Sequence, residues 1–209
     1  MEQKFIVETS AHHIHVTQEA LEALCGKGAR LEALKPLSQP GQFASQVRLD
    51  VIYHASIKDR NSGEVTKKDF TLKGLRILGP VRSRNQVEIS MTEARALKAV
   101  IPVRESGDVS GTPGCTLYNP ETGVSYDIEE GLIIAKRHIH MTPEDAVNFH
   151  VNNGDIVSVK IAPGLGRDAI LGDVVIRVSP KYALAMHIDT DESNALGGAA
   201  SNVFGEIVR

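Results

Sequence analysis

The sequence predicts a mainly β fold with a few short helices, arranged as two small β-barrel domains. Three observations point there. Short apolar runs with two-residue alternation recur along the 209-residue chain, helix signals are confined to brief stretches, and one strand–turn–helix element occurs twice. Many short strands with few helices to cover them favour closed sheets, because closure removes exposed strand edges.

The elements follow in chain order. Phe5-Ile6-Val7 is a β-favouring run that leads into His12-His13-Ile14-His15-Val16-Thr17-Gln18-Glu19. Thr17 suits a helix N-cap, since its hydroxyl can accept a bond from an otherwise unpaired helical N–H. Ala20, Leu21 and Leu24 then share one helical face until Gly26 stops the run. Val47 to Val51 alternates as a strand. The polar stretch from Ile57 to Thr71 mixes acids with bases and is expected to be a long hairpin or surface insertion. Gln86 to Ser90 alternates again, and Thr92 to Val100 is expected to be helical, with Thr92 as cap and Leu97 and Val100 facing the core. Gly111-Thr112-Pro113-Gly114 and Asn119-Pro120-Glu121-Thr122-Gly123 read as turns.

Leu132-Ile133-Ile134 leads into the second copy of the repeated element, Arg137-His138-Ile139-His140-Met141-Thr142-Pro143-Glu144. Thr142 is the expected N-cap, Pro143 fits the first helical position, and Glu144 and Asp145 suit the positive end of the helix dipole. Asp155 to Ile161, Val174 to Val178 and Ala185 to Asp189 add strands, and Gly197 to Ser201 is expected to be a flexible approach to the C-terminus.

Composition narrows the function classes. A net charge of −3 supplies no basic field for a nucleic-acid backbone, and 4% aromatic residues without tryptophan supply few stacking platforms. No apolar run reaches the roughly 18 residues of a membrane span. The first residues lack the layout of a signal peptide. Cys25 and Cys115 lie far apart and form no CxxC pair, so reduced thiols and a cytoplasmic location are expected.

Five of the eight histidines, His13, His15, His138, His140 and His187, fall in strand-like places. Residues two apart on a strand face the same side, so each His-x-His presents two imidazoles together. Imidazole is a good zinc ligand, and a site needs three or four donors. A single histidine, or a single such pair, is more often structural; duplication of the whole element shifts the balance to metal. Glu88 could add a carboxylate from its alternating strand, and Arg82, after the Gly79-Pro80 turn, could offer a planar fork to phosphate. Gly164-Leu165-Gly166-Arg167 lacks the pattern of a nucleotide loop.

The chain resembles the PduL-type phosphotransacylases (phosphate propanoyltransferases). The matching stretches are Glu8 to His15, Leu37 to Phe43, Arg76 to Arg82, Gln86 to Ser90, Pro102 to Asp108, Arg137 to Met141 and Met186 to Glu192, which cover nearly the whole chain in order. The resemblance implies two β-barrel domains with the active site between them. One would combine residues 1–12 with 136–209, and the other would span 13–135 with the polar insertion near 57–71. It implies two zinc ions per chain, one held by His13, His15 and Glu88 and the other by His138, His140 and His187. Arg82 would bind phosphate and act in catalysis, and Ser10, Arg76 and Asn194 would contact coenzyme A. The implied reaction is exchange of a short acyl group, propionyl or acetyl, between coenzyme A and phosphate, in a homodimer. Two departures stand out: His12 replaces the usual Arg before the first His-x-His, and the 57–71 stretch is longer. The first His-x-His begins at residue 13, which argues for a free cytoplasmic enzyme and against association with a microcompartment shell. Two other readings share the histidines: a dinuclear zinc hydrolase, which needs no coenzyme A, and a non-catalytic metal-binding assembly module, which would need metal to fold.

Overall fold

A computed structural model describes residues 3–198 and 203–208. In chain order the elements are β1 (Phe5–Thr9), β2 (His13–His15), α1 (Gln18–Cys25), β3 (Ala33–Pro36), β4 (Phe43–Lys58), β5 (Val65–Gly79), β6 (Gln86–Glu88), α2 (Met91–Ala96) and β7 (Val103–Arg104). They continue with β8 (Cys115–Asn119), β9 (Val124–Ile128), β10 (Leu132–Ala135), β11 (His138–Met141), α3 (Pro143–Phe149), β12 (Ile156–Ile161), β13 (Ala169–Val178), β14 (Ala185–Ile188), α4 (Thr190–Ala195) and β15 (Val203–Val208). The protein is mainly β with short helices, as its sequence predicts.

The chain divides into two compact units. The first takes Met1–Ala11, Leu37–Gly41 and Ala135–Arg209, and its strands close into a barrel in the order β1-β14-β11-β13-β12-β15. Its core gathers Phe5, Val7, Ile139, Met141, Phe149, Val159, Val174, Ile176 and Met186. Strand β15 completes the ring by pairing antiparallel with both β1 and β12. Gly205 is required at that closure, because a Cβ there would approach Val159 to 2.8 Å and the Phe5 ring to 2.9 Å.

The second unit takes His12–Pro36 and Gln42–Ile134. Its nine-stranded sheet runs β7-β10-β6-β2-β5-β4-β8-β9, with β3 paired to β4. Helix α1 lays Ala20, Leu21 and Leu24 into a core with Ile14, Leu49, Leu75, Ile77, Leu117 and Leu132. The polar stretch is a hairpin: β4 and β5 pair from Phe43 opposite Gly79 out to Lys58 opposite Val65, and the Asp59 carboxylate accepts bonds from Asn61 and Ser62 in the turn.

Two of the three predicted threonine caps are present. Thr17 accepts from the Ala20 N–H, and Thr142 forms a reciprocal capping box with Asp145 ahead of Pro143. The expectation for Thr92 to Val100 needs correction. The helix starts at Met91 with Ser90 as its cap, because Glu93 reaches back to the Ser90 N–H while Ser90 accepts from the Glu93 N–H. It stops before Val100, which is 92% exposed, whereas Leu97 is buried as expected. Helix α4 has a signal that the sequence reading did not use, a capping box between Asp189 and Glu192. In the expected flexible stretch, residues 199–201 lie outside the described residues.

Candidate metal centres

Each candidate metal-ligand group is built from one strand carrying His-x-His and a neighbouring antiparallel strand that supplies the third candidate ligand. On β2 the middle residue, Ile14, is fully buried, and the same holds for Ile139 on β11. Burying such a side chain stabilises by about 1.5–3 kcal/mol. Strand alternation then turns the two flanking histidines together toward the opposite face.

Strand register supplies the third ligand. His13 lies directly opposite Glu88 on β6, and His138 lies directly opposite His187 on β14. In both groups the third ligand therefore faces the first histidine of the pair. Among the described residues, two groups of three candidate ligands result: His13, His15 and Glu88 in the second unit, and His138, His140 and His187 in the first. The ligand atoms of each group lie within 4.8 Å of one another. Ligands around a tetrahedral zinc with bonds of 2.0–2.1 Å stand roughly 3.4 Å apart. The His13 Nε2 to Glu88 Oε2 distance of 3.5 Å is close to that.

Tautomers and charges also fit a cation. His138 Nδ1 lies 2.9 Å from the Lys136 carbonyl, and His15 Nδ1 lies 3.3 Å from the Leu78 carbonyl. A carbonyl only accepts, so Nδ1 carries a proton in each ring, and Nε2 is the nitrogen that the neutral ring can offer to a metal. Burial, with the nearby charges of His13 and Arg82, holds the His15 imidazole well below its ordinary pKa. Burial alone would raise the Glu88 carboxyl. The charge and hydrogen bonding of His13, with His15 and Ser106 behind, outweigh it and hold Glu88 below the usual carboxylate range. A neutral His15 beside an ionised Glu88 suits a divalent cation, which would take the place of the proton on His13.

In the first unit, His187 Nδ1 is 3.7 Å from Glu8 and its Nε2 is 3.5 Å from the buried Gln39 amide. The three rings of this group pack edge-on or stacked, with centroids 4.6 to 5.2 Å apart. Tyr182 lies against His140 at 4.1 Å.

The remaining sequence-predicted residues divide between the units. Arg82 follows β5, its backbone N–H bonds the Val16 carbonyl, and its guanidinium lies 3.3 Å from Ser106 Oγ. Arg76 lies on β5 opposite His13 and donates to the Ser45 carbonyl. Ser10 follows β1 and donates its N–H to the Ile188 carbonyl, and Asn194 is exposed on α4. His12, the departure from the family pattern, bonds Glu93. His54 and His150 belong to neither group; His54 bridges Asp69 and Thr116 on the hairpin, and His150 caps α3.

Four residues of these surroundings were not singled out from the sequence: Glu8, Gln39, Gln86 and Ser106. Gln86 stands opposite His15 on β6, a relation that only strand register reveals.

Comparison with known proteins identifies the family. A family model described as phosphate propanoyltransferase matches residues 6–199. A phosphate propanoyltransferase from Enterococcus faecalis is 46% identical over 92% of this chain and 83% of its own length. One from Listeria monocytogenes is 42% identical over 97% of this chain and 86% of its own. One from Thermotoga maritima is 42% identical over 93% and 84%. With the family matched across nearly the whole chain, this protein belongs to the phosphate propanoyltransferases and is an acyltransferase.

Proposed function

We propose that the chain interconverts a short-chain acyl-CoA and phosphate with the acyl phosphate and CoA, using propionyl or acetyl groups and two zinc ions. One ion would be held by His13, His15 and Glu88 and the other by His138, His140 and His187. The observation that carries this reading is the repeated construction of two three-ligand groups, each a His-x-His pair with a third donor across the strand. Three nitrogen or oxygen donors suit a catalytic zinc, which keeps a fourth position open. Bound zinc supplies a Lewis acid for the thioester oxygen and a soft partner for the departing thiolate.

Arg82 binds the phosphate. Its planar guanidinium matches two phosphate oxygens and offsets their charge. Ser10, Arg76 and Asn194 contact coenzyme A. A phosphate oxygen forms the new bond to the acyl carbon, the carbon–sulfur bond breaks, and CoA leaves as its thiolate. Held reactants gain the advantage of proximity without a covalent enzyme intermediate. The thiols support direct transfer: burial raises the Cys25 pKa and pushes Cys115 up to about 12, so neither is an activated nucleophile at neutral pH.

The test follows thiol release from propionyl-CoA with and without phosphate, before and after chelation and zinc reloading. Release should require phosphate, stop on chelation and return with zinc. Release that proceeds equally without phosphate would establish the hydrolase reading instead.

A further inference from the structure

Gln86 is a buried polar side chain, 2% exposed, beside the group of His13, His15 and Glu88. It shares one face of β6 with Glu88, two residues along, and stands across the strand pair from His15. Its amide is fully used. Oε1 accepts the Gly107 N–H at 2.7 Å; a backbone N–H can only donate, so this contact settles which way the amide points. Nε2 then donates to Glu88 Oε1 at 2.6 Å and to Ser106 Oγ at 2.9 Å. Ser106 Oγ also accepts from Arg82 Nη1 at 3.3 Å, so the Gln86 amide and the Arg82 guanidinium meet at one hydroxyl.

The two oxygens of Glu88 are therefore divided. Oε1 is gripped by Gln86, while Oε2 faces His13 Nε2. The other metal-ligand group has no such grip at the matching place: the residue opposite His140 is Ala185, buried and apolar. The difference follows from the third ligand. An imidazole such as His187 offers one nitrogen in a rigid ring. A carboxylate offers two equivalent oxygens on a longer, freer side chain, so it needs a second contact to present one of them.

We propose that Gln86 is a positioning residue that holds Glu88 with Oε2 toward the metal and, through Ser106, ties that carboxylate to the phosphate-binding Arg82. This rests on the metal reading above. The clamp makes the orientation of the metal ligand and of the guanidinium interdependent, so one substitution should disturb both metal affinity and phosphate use.

The experiment compares the full-length wild type with Gln86→Met, which keeps the side-chain volume and removes the amide, and with Ser106→Ala. Zinc binding is measured by competition with a chromophoric chelator, the phosphate KM from thiol release, and folding from the melting curve. For a folded Gln86→Met, affinity for one of two zinc equivalents should fall about 10–100-fold while the second is unchanged, and the phosphate KM should rise. Ser106→Ala, on a surface turn, should raise the phosphate KM several-fold with both zinc ions retained. Wild-type protein that binds no zinc would defeat the metal reading itself. Wild type binding two, with Gln86→Met binding both as tightly, would overturn only this inference. Should Gln86→Met not fold, an unchanged phosphate KM in Ser106→Ala overturns it.

Discussion

An imidazole presents a chosen nitrogen to a cation only when its other nitrogen is committed elsewhere. The Lys136 and Leu78 carbonyls make that commitment for His138 and His15. Alanine at His138 should thus remove a prepared donor, and acyl phosphate turnover should fall by orders of magnitude while the protein stays folded at 25 °C with its β-sheet circular dichroism intact. His150 provides the contrast. It is exposed and occupies a left-handed backbone position at the end of α3, with φ 53° and ψ 47°. Alanine there should leave turnover intact and cost at most about 1 kcal/mol, because both residues bear the steric penalty of that conformation. Equal activity losses in the two variants would refute the ligand assignment. At this scale the histidine pairs were legible, since two-residue spacing is a local property. Gln86 was not, since its value comes from Glu88, Ser106 and Gly107 meeting around it.

Among the elements, the helices that follow the two His-x-His strands start at side-chain caps written into the sequence. Thr142 accepts the Asp145 N–H, and the Asp145 carboxylate returns a bond to the Thr142 N–H. Thr142→Ala should destabilise the protein by about 1 kcal/mol through loss of that cap. Chemical denaturation would read the change as a lower midpoint at an unchanged slope. A shift of under about 0.3 kcal/mol would mean that the packing of Ala146 and Phe149, not the cap, sets the start of α3. The misplaced start of α2 illustrates the limit of reading caps one residue at a time. Both Ser90 and Thr92 are able caps, but only Ser90 has an acid three residues on, Glu93, to complete the reciprocal pair. The same spacing from Asp189 to Glu192 marks α4.

On the scale of the whole molecule, each unit has its own apolar core, so the fold should persist without metal. Chelation should abolish activity and lower the melting temperature, because a ligand at 100 times its dissociation constant adds about 2.7 kcal/mol. The β-sheet circular dichroism should persist at 25 °C. Collapse of that signal on chelation would show the metal to be structural, as in the assembly-module reading. No helix among the described residues is long and apolar enough to cross a membrane.

The sequence by itself determined the β class, the two helix starts after the histidine pairs, the polar hairpin and the family resemblance. Each is carried by neighbours within a few residues or by motifs in fixed order. Tertiary structure decided what depends on register between distant strands. It set Glu88 opposite His13 and His187 opposite His138, and it brought β15 against β1 and β12 to close the barrel. Alternation tells which face a side chain takes, but only the pairing of strands tells what it meets there, because a slip of one residue would turn every side chain to the other face.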